Sequence, residues 1–277
     1  ELFEACLLLL QRRRKVVACI QDGIRMIYLG YMYESERYIE KKLGELSAQR
    51  FETAEKNISK NIEFFEKENN IVLADKQREA ISKAGRNGVL IITGGPGTGK
   101  TTIIKAIIRT IMTDGGSCLL AAPTGRAAKR MSIACGAEAK TIHRLLEIDY
   151  SVERDEETRD DRNIAFKRNE NSPLKCDALI IDESSMVDTL LMYHLLKAIK
   201  NGTRLILVGD KDQLPSVGPG KILRDIIESG RFETVVLDEI YRQNSESLIT
   251  LNAHLVNKGE MPELNSMEGD FFLMSRY

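Results

Sequence analysis

The chain of 277 residues has no tryptophan, few prolines and almost no net charge. With 43% hydrophobic and 29% charged residues, this composition is typical of a folded globular protein and excludes a mainly disordered or fibrous one. The formal net charge of −1 excludes a uniformly basic nucleic-acid binder. Any contact with phosphate groups must therefore come from local clusters of cations or from backbone amides.

The sequence also lacks C-x-x-C pairs and long apolar runs. Its five cysteines have no histidine at ligand spacing, and each falls in or beside an apolar stretch, which favours buried reduced thiols over a metal site. No run reaches the roughly 18 apolar residues of a membrane-spanning helix. The apolar residues 2–10 lead into basic residues without a signal-peptide cleavage site. We therefore expect a cytoplasmic protein with no membrane partner.

A small helical module is predicted over residues 1–70. Asp22-Gly23 separates two β-prone runs, and this dipeptide favours a tight hairpin because a type I′ turn needs positive φ at both central positions. Helices are predicted before and after the hairpin. This order resembles a winged-helix module, which either binds DNA or packs against a neighbouring domain.

From residue 71 to residue 242, predicted helices alternate with short apolar strands. The five candidate strands cover residues 89–93, 118–122, 178–182, 205–208 and 234–237. Such uniformly apolar strands are buried on both faces, which predicts an α/β domain with a parallel sheet flanked by helices. Residues 145–174 do not follow this alternation of helices and strands. Their pattern predicts a long β-hairpin inserted into the domain.

A phosphate-binding loop is indicated where the sequence satisfies G-x-x-x-x-G-K-[ST] between a predicted strand and a predicted helix. Its glycines let backbone amides point at a phosphate chain, and the helix N-terminus adds partial positive charge. Lys100 would reach the β- and γ-phosphates of ATP, and the Thr101 hydroxyl would ligate Mg²⁺. The predicted nucleotide-binding residues of this P-loop segment are Gly94, Gly95, Pro96, Gly97, Thr98, Gly99, Lys100, Thr101 and Thr102.

Two adjacent acids, Asp182 and Glu183, end a predicted strand at the sheet edge where open α/β folds bind ligands. Asp182 would hold Mg²⁺, and Glu183 would orient and deprotonate the water that attacks the γ-phosphate. Kinases need no such water-activating acid. The residues alone therefore predict an ATP hydrolase that uses Mg²⁺.

Further segments resemble the motif set of superfamily 1 helicases. IIDESSMVD, together with GDKDQLPSVGPG, is most similar to the RecD-like branch, which comprises the exodeoxyribonuclease V alpha subunit and its stand-alone relatives. The resemblance covers residues 73–242. It implies a RecA-like P-loop motor domain in a DNA helicase of recombination and repair that moves 5′ to 3′.

The same resemblance implies roles for individual residues. Gln77 would contact adenine, Gln213 would sense the γ-phosphate, and Arg242 would act as an arginine finger. The residues that would bind single-stranded DNA are Pro123, Thr124, Arg126, Thr141 and His143. The plain alternatives are a surface position for Gln77, a core histidine at position 143 and a solvated helix face around Arg126.

The resemblance also implies partners. These are single-stranded DNA, a duplex junction split by the inserted hairpin, which carries Tyr150 and Phe166, and a nuclease complex. Residues 243–277 would begin a second motor domain without completing it. The alternative function is a P-loop ATPase switch that acts on protein partners without DNA. The segments PTGR (residues 123–126) and TIH (residues 141–143), which resemble the DNA-contact motifs, argue against that alternative.

Overall fold

A computed structural model describes residues 2–51, 55–149, 165–238, 247–264 and 270–271. The helices are α1 (Leu2–Arg12), α2 (Gly30–Ser47), α3 (Glu55–Asn69), α4 (Asp75–Arg86), α5 (Lys100–Thr113), α6 (Gly125–Cys135), α7 (Ile142–Leu146), α8 (Thr189–Lys197), α9 (Ile222–Glu228) and α10 (Leu248–Asn257). The strands are β1 (Val16–Gln21), β2 (Ile24–Leu29), β3 (Val89–Gly94), β4 (Cys118–Ala122), β5 (Ala139–Thr141), β6 (Ala178–Ile181), β7 (Arg204–Gly209) and β8 (Thr234–Leu237). Among these helices, none combines the length and the apolar character needed to cross a membrane.

Six strands form one parallel sheet in the order β5-β4-β6-β7-β3-β8. The predicted parallel α/β architecture is therefore confirmed. The edge strand β5 was not predicted, because three residues with a lysine at the centre make no apolar run. Parallel strands all end at the same sheet edge, so the segments that follow β3, β4, β5, β6 and β7 are gathered there.

Apolar side chains cover both faces of the sheet. On one face, Ile91 and Leu207 belong to a core that includes Leu43 of α2 and Leu195 of α8. On the other face, the core includes side chains of β3, α3, α4 and α5. Each large aliphatic side chain buried in this way contributes roughly 1.5–3 kcal/mol. The two cores hold the strand ends in place as a rigid frame.

The first 70 residues form the predicted helix, hairpin, helix order. Asp22 and Gly23 both have positive φ, 51° and 76°, as a type I′ turn requires. The hairpin β1–β2 leaves Ile20 and Ile24 exposed. Helix α2 packs against α8, and α3 packs against α4 and α5. These two helices therefore pack against neighbouring elements, which is one of the two roles considered for a winged-helix module. A domain boundary at residue 70 stays a prediction.

The base of the inserted hairpin is antiparallel. Ile148 and Phe166 form a bridge, and the Asp149 amide donates to the carbonyl oxygen of Ala165 at 2.8 Å. Phe166 is 8% exposed, and its ring lies near His194, with centroids 5.0 Å apart. Phe166 thus lies at the buried base of the hairpin. The tip, residues 150–164 with Tyr150, lies outside the described residues.

The cysteines differ in burial. Cys176 is buried, Cys118 and Cys135 are half-buried, and Cys6 is exposed. The expectation of buried thiols is confirmed for Cys176 and wrong for Cys6, because the first helix turns that part of its apolar sequence to solvent. Burial raises the pKa of Cys118 to about 12 and that of Cys176 to about 11.

Candidate nucleotide-binding site

The P-loop segment forms a tight turn between β3 and α5 at the carboxyl edge of the sheet. Gly97 and Gly99 have φ values of 78° and 82°, which glycine adopts without steric cost. A Cβ atom on Gly99 would lie 2.4 Å from Nε2 of Gln77, so a larger residue here would also have to displace the Gln77 side chain. The turn leads directly into the N-terminus of α5, where partial positive charge favours a phosphate group.

Lys100 is the first residue of α5, and its ammonium group folds back over the loop. Nζ donates to the carbonyl oxygens of Gly94 at 2.6 Å and Gly95 at 2.9 Å. Burial lowers the pKa of Lys100, and the charge of Asp210 is the largest of the effects that oppose the shift. Phosphate oxygens can replace the two carbonyl partners and would satisfy the cation better, because the resulting hydrogen bonds are charged at both ends.

Gln77 lies on α4 and is 3% exposed, so the surface alternative is wrong. Its Nε2 donates to the carbonyl oxygen of Thr98 at 3.0 Å, and its Oε1 accepts from the amide of Ala74 at 3.1 Å. The side chain therefore supports the P-loop from behind. A contact with adenine stays a prediction.

Asp182 and Glu183 follow β6. Asp182 is 4% exposed, and burial raises the pKa of its carboxyl group, although the Glu183 amide donates to Oδ1 at 2.9 Å. Glu183 has a φ of 53°, a backbone conformation that costs a non-glycine residue about 1–3 kcal/mol and is concentrated at functional sites. A partly desolvated carboxylate in this position is well suited to a cation.

The P-loop and Glu183 line one cleft with a volume of about 660 Å³. The lining residues are Pro96, Gly97, Thr98, Gly99, Lys100, Thr101, Thr102, Arg130, Glu183, Asp210, Asp212, Gln213, Ala253 and Asn257. Gln213 is held in place because its Oε1 accepts from the Ser185 hydroxyl at 3.0 Å. Ser185 follows Glu183 by two residues, so Gln213 is tied to the segment that carries the acids.

The oxygen donors of the cleft fit Mg²⁺. Within the described residues, no cluster of three or more histidine, cysteine or acidic side chains could hold a metal by itself. Mg²⁺ bound to a nucleotide needs no such cluster, because it keeps waters and phosphate oxygens and takes one or two protein ligands. The predicted ligands, the Thr101 hydroxyl and the Asp182 carboxylate, carry oxygen atoms of this hard type.

The two predicted DNA-contact segments lie side by side at the same sheet edge. Strands β4 and β5 are neighbours in which Ala122 pairs with Thr141. Pro123 and Thr124 follow β4, and Arg126 is exposed on the first turn of α6. The structure therefore brings together segments that are separated by 15 or more residues in the sequence.

The two threonines also have structural roles. The Oγ1 atoms of Thr124 and Thr141 accept from the amides of Ala127 and Arg144, each at 3.2 Å, and so cap the N-termini of α6 and α7. His143 is half-buried, with its ring centroid 6.1 Å from that of Phe166. The capping by the two threonines and the partial burial of His143 are compatible with contacts to DNA. Those contacts stay predictions. Arg242 lies outside the described residues.

Comparison with known proteins places these features in a family. A family model described as an AAA domain matches residues 77–219, which cover the P-loop, both acids and Gln213. A relative from Deinococcus radiodurans, named ATP-dependent RecD2 DNA helicase, is 36% identical over 190 residues, covering 69% of this chain and 24% of the relative. The chain belongs to the AAA domain family. It is similar to RecD-like helicases.

A RecD subunit is also similar to this chain. The RecBCD enzyme subunit RecD of Mycolicibacterium smegmatis is 35% identical over 177 residues, covering 56% of this chain and 30% of the relative. Among solved structures, the Pif1 helicase of Candida albicans matches with a TM-score of 0.47 and 23% identity, over 70% of this chain and 46% of that one. The chain spans about a quarter of the length of the RecD2 relative and about a third of the length of the RecD subunit.

Several residues that line this cleft were not assigned to the nucleotide site from the sequence, among them Asp210 and Arg130. Asp210 is 6% exposed and follows β7, so an acid directly after an apolar strand was the signal that could have found it. Arg130 lies on α6, and its Nη2 is 2.5 Å from Oε1 of Glu183. No sequence signal connects Arg130 with Glu183, because the two residues are 53 positions apart.

Proposed function

We propose that this chain is the part of an ATP-dependent DNA helicase that binds ATP·Mg²⁺ and single-stranded DNA, and that the enzyme moves 5′ to 3′. The observation that carries the proposal is that one sheet edge joins Lys100, Glu183 and the segments after β4 and β5. Coupling of ATP hydrolysis to DNA requires a nucleotide site and a second, adjacent site with an exposed cation.

In the proposed reaction, the P-loop amides and Lys100 hold the β- and γ-phosphates. A water oxygen attacks the γ-phosphorus, its proton passes to the Glu183 carboxylate, and the bond from the γ-phosphorus to the β–γ bridging oxygen breaks, releasing ADP and phosphate. Mg²⁺, held by Thr101 and Asp182, would neutralise charge that develops on the phosphate oxygens. Gln213 faces the same cleft and would report the presence of the γ-phosphate to the Ser185 segment.

Binding of single-stranded DNA is proposed for Pro123, Thr124, Arg126, Thr141 and His143. Contacts here would reach the sugar-phosphate backbone and stacked bases, so we expect little sequence preference and affinity that falls steeply with salt. The relatives named as RecBCD subunits support a nuclease complex as a further proposed partner, with a role in recombination and repair.

The proposed function predicts that single-stranded DNA accelerates ATP hydrolysis. We would measure steady-state ATPase of the full-length protein with and without oligo-dT, and strand displacement on duplexes with a 5′ or a 3′ tail. We expect stimulation by oligo-dT and displacement from the 5′ tail. Hydrolysis that ignores DNA but responds to a protein partner would instead support the ATPase switch.

Shortening the inserted hairpin should separate hydrolysis from unwinding. Because Asp149 and Ala165 are already hydrogen-bonded, residues 150–164 can be replaced by Asn-Gly while the antiparallel base and Phe166 remain. We expect DNA-stimulated ATPase within about twofold of wild type, since the base holds none of the described residues that line the cleft, and strand displacement reduced about tenfold or more. Normal strand displacement by this variant would remove the duplex-splitting role.

A further inference from the structure

Arg130 connects the proposed DNA-contact helix to the proposed catalytic base. Its Nη2 lies 2.5 Å from Oε1 of Glu183 and 3.7 Å from Oδ2 of Asp182. It also lines the nucleotide cleft beside Lys100. A carboxylate oxygen that accepts a hydrogen bond from a guanidinium group is less able to orient water and accept its proton. The contact therefore opposes the function proposed for Glu183.

Helix α6 is a rigid connection between the two sites. Its buried face, Ala127, Ala128 and Met131, is directed toward the protein interior, and its N-terminus carries the cap Thr124. Arg126 and Arg130 are one turn apart and lie on the same side of the helix, which faces solvent. An anion that binds near Arg126 therefore acts on the same surface that presents Arg130.

In the ion pair between Arg130 and Glu183, the guanidinium group can exchange its partner. The Arg130 side chain is 62% exposed, whereas that of Glu183 is 14% exposed. Ion pairs with an exposed partner are weak, because water and competing ions satisfy the cation almost as well. A DNA phosphate near α6 can thus take over the guanidinium group and release Glu183.

We propose that Arg130 is a positioning residue that restrains Glu183 when DNA is absent and releases it when single-stranded DNA occupies the segment from Pro123 to Arg126. This inference rests on the proposed function. It assigns to one side chain the stimulation of hydrolysis by DNA that the proposed function predicts. Arg130 acts here through Glu183 and needs no contact with the reacting atoms.

The test is steady-state ATPase of the full-length protein carrying Arg130→Ala, Arg130→Lys or Lys129→Ala, with and without oligo-dT. For Arg130→Ala we expect the basal kcat to rise about fivefold, the kcat with DNA to stay within about twofold of wild type, and KM for ATP to be unchanged. Arg130→Lys keeps the charge but loses the planar fork, so its basal kcat should be intermediate. Lys129→Ala removes the neighbouring exposed cation and should match wild type.

The outcomes are distinct. A fall of kcat in Arg130→Ala both with and without DNA would show that Arg130 stabilises the transition state, and an unchanged basal kcat would show that no restraint exists. Either result overturns the inference. A wild-type enzyme that DNA does not stimulate contradicts the proposed function instead, while the basal comparison of variants still decides whether Arg130 restrains Glu183. A thermal melt of each variant checks that it is folded.

Discussion

Glu183→Gln is expected to bind ATP·Mg²⁺ as wild type does, yet to hydrolyse it about 10²- to 10⁴-fold more slowly, the range that a positioned general base supplies. Glutamine has the same shape as glutamate but cannot accept the proton of the attacking water. The carboxylate of Asp182 and the ammonium group of Lys100 remain, so the groups proposed to hold Mg²⁺ and phosphate are intact. Binding would be measured with a fluorescent nucleotide and hydrolysis by phosphate release, both on the full-length protein.

A matched control is Glu228→Gln, which makes the same change on the exposed face of α9, where Glu228 pairs with Arg224 at 2.6 Å. It should leave both binding and turnover unchanged. Glu183→Gln also loses the charge that pairs with Arg130, so weak hydrolysis combined with normal binding is the diagnostic result. Turnover near that of wild type would show that another residue activates the water.

The arrangement of the candidate nucleotide site could be predicted from the sequence because its sequence patterns are local. The P-loop needs glycines and a lysine at fixed spacing, and the hydrophobic pattern places it between a strand and a helix. The same holds for Asp182, which ends an apolar strand. Parallel strands bring such ends to one edge, so the proximity of Asp182 and Lys100 followed from topology.

The features that escaped prediction depend on contacts between distant residues. The strand β5 exists because Ala139 and Thr141 pair with β4, a long-range choice that three residues do not encode. The contact of Arg130 with Glu183 depends on how α6 packs over β4. Gln77 shows the same limit: its position on an amphipathic helix was evident, but its burial against Thr98 follows from the docking of α4 on the P-loop.

The inserted hairpin shows a third kind of limit. The change of pattern at residues 145–174 predicted an inserted hairpin, and the antiparallel bridge between Ile148 and Phe166 is compatible with its base. The aromatic residues of the segment were candidates for contact with a base pair. For Phe166, burial against His194 was not predictable, because apolar side chains at a hairpin base and at its tip look alike in sequence.

Lys100→Ala should weaken nucleotide binding about 10- to 150-fold, because it removes a charge-assisted hydrogen bond worth roughly 1.5–3 kcal/mol from a site that holds several negative charges. In the structure, Nζ lies 2.6 Å and 2.9 Å from two P-loop carbonyl oxygens, so it is already positioned over the loop. Burial lowers the pKa of Lys100, and the variant also removes that buried cation. Loss of Lys100 should therefore affect the bound state much more than the ligand-free fold.

Thermal unfolding with and without nucleotide measures this effect. At a nucleotide concentration of about 100 times the wild-type Kd, binding stabilises the protein by about 2.7 kcal/mol, and a 100-fold weaker variant retains about 0.4 kcal/mol. Lys105→Ala is the control, because Lys105 lies on the same helix but lines a separate groove formed by α3, α5 and α6. Its nucleotide-induced shift in Tm should equal that of wild type. An undiminished shift in Lys100→Ala would mean that the phosphates bind elsewhere and that the P-loop assignment is wrong.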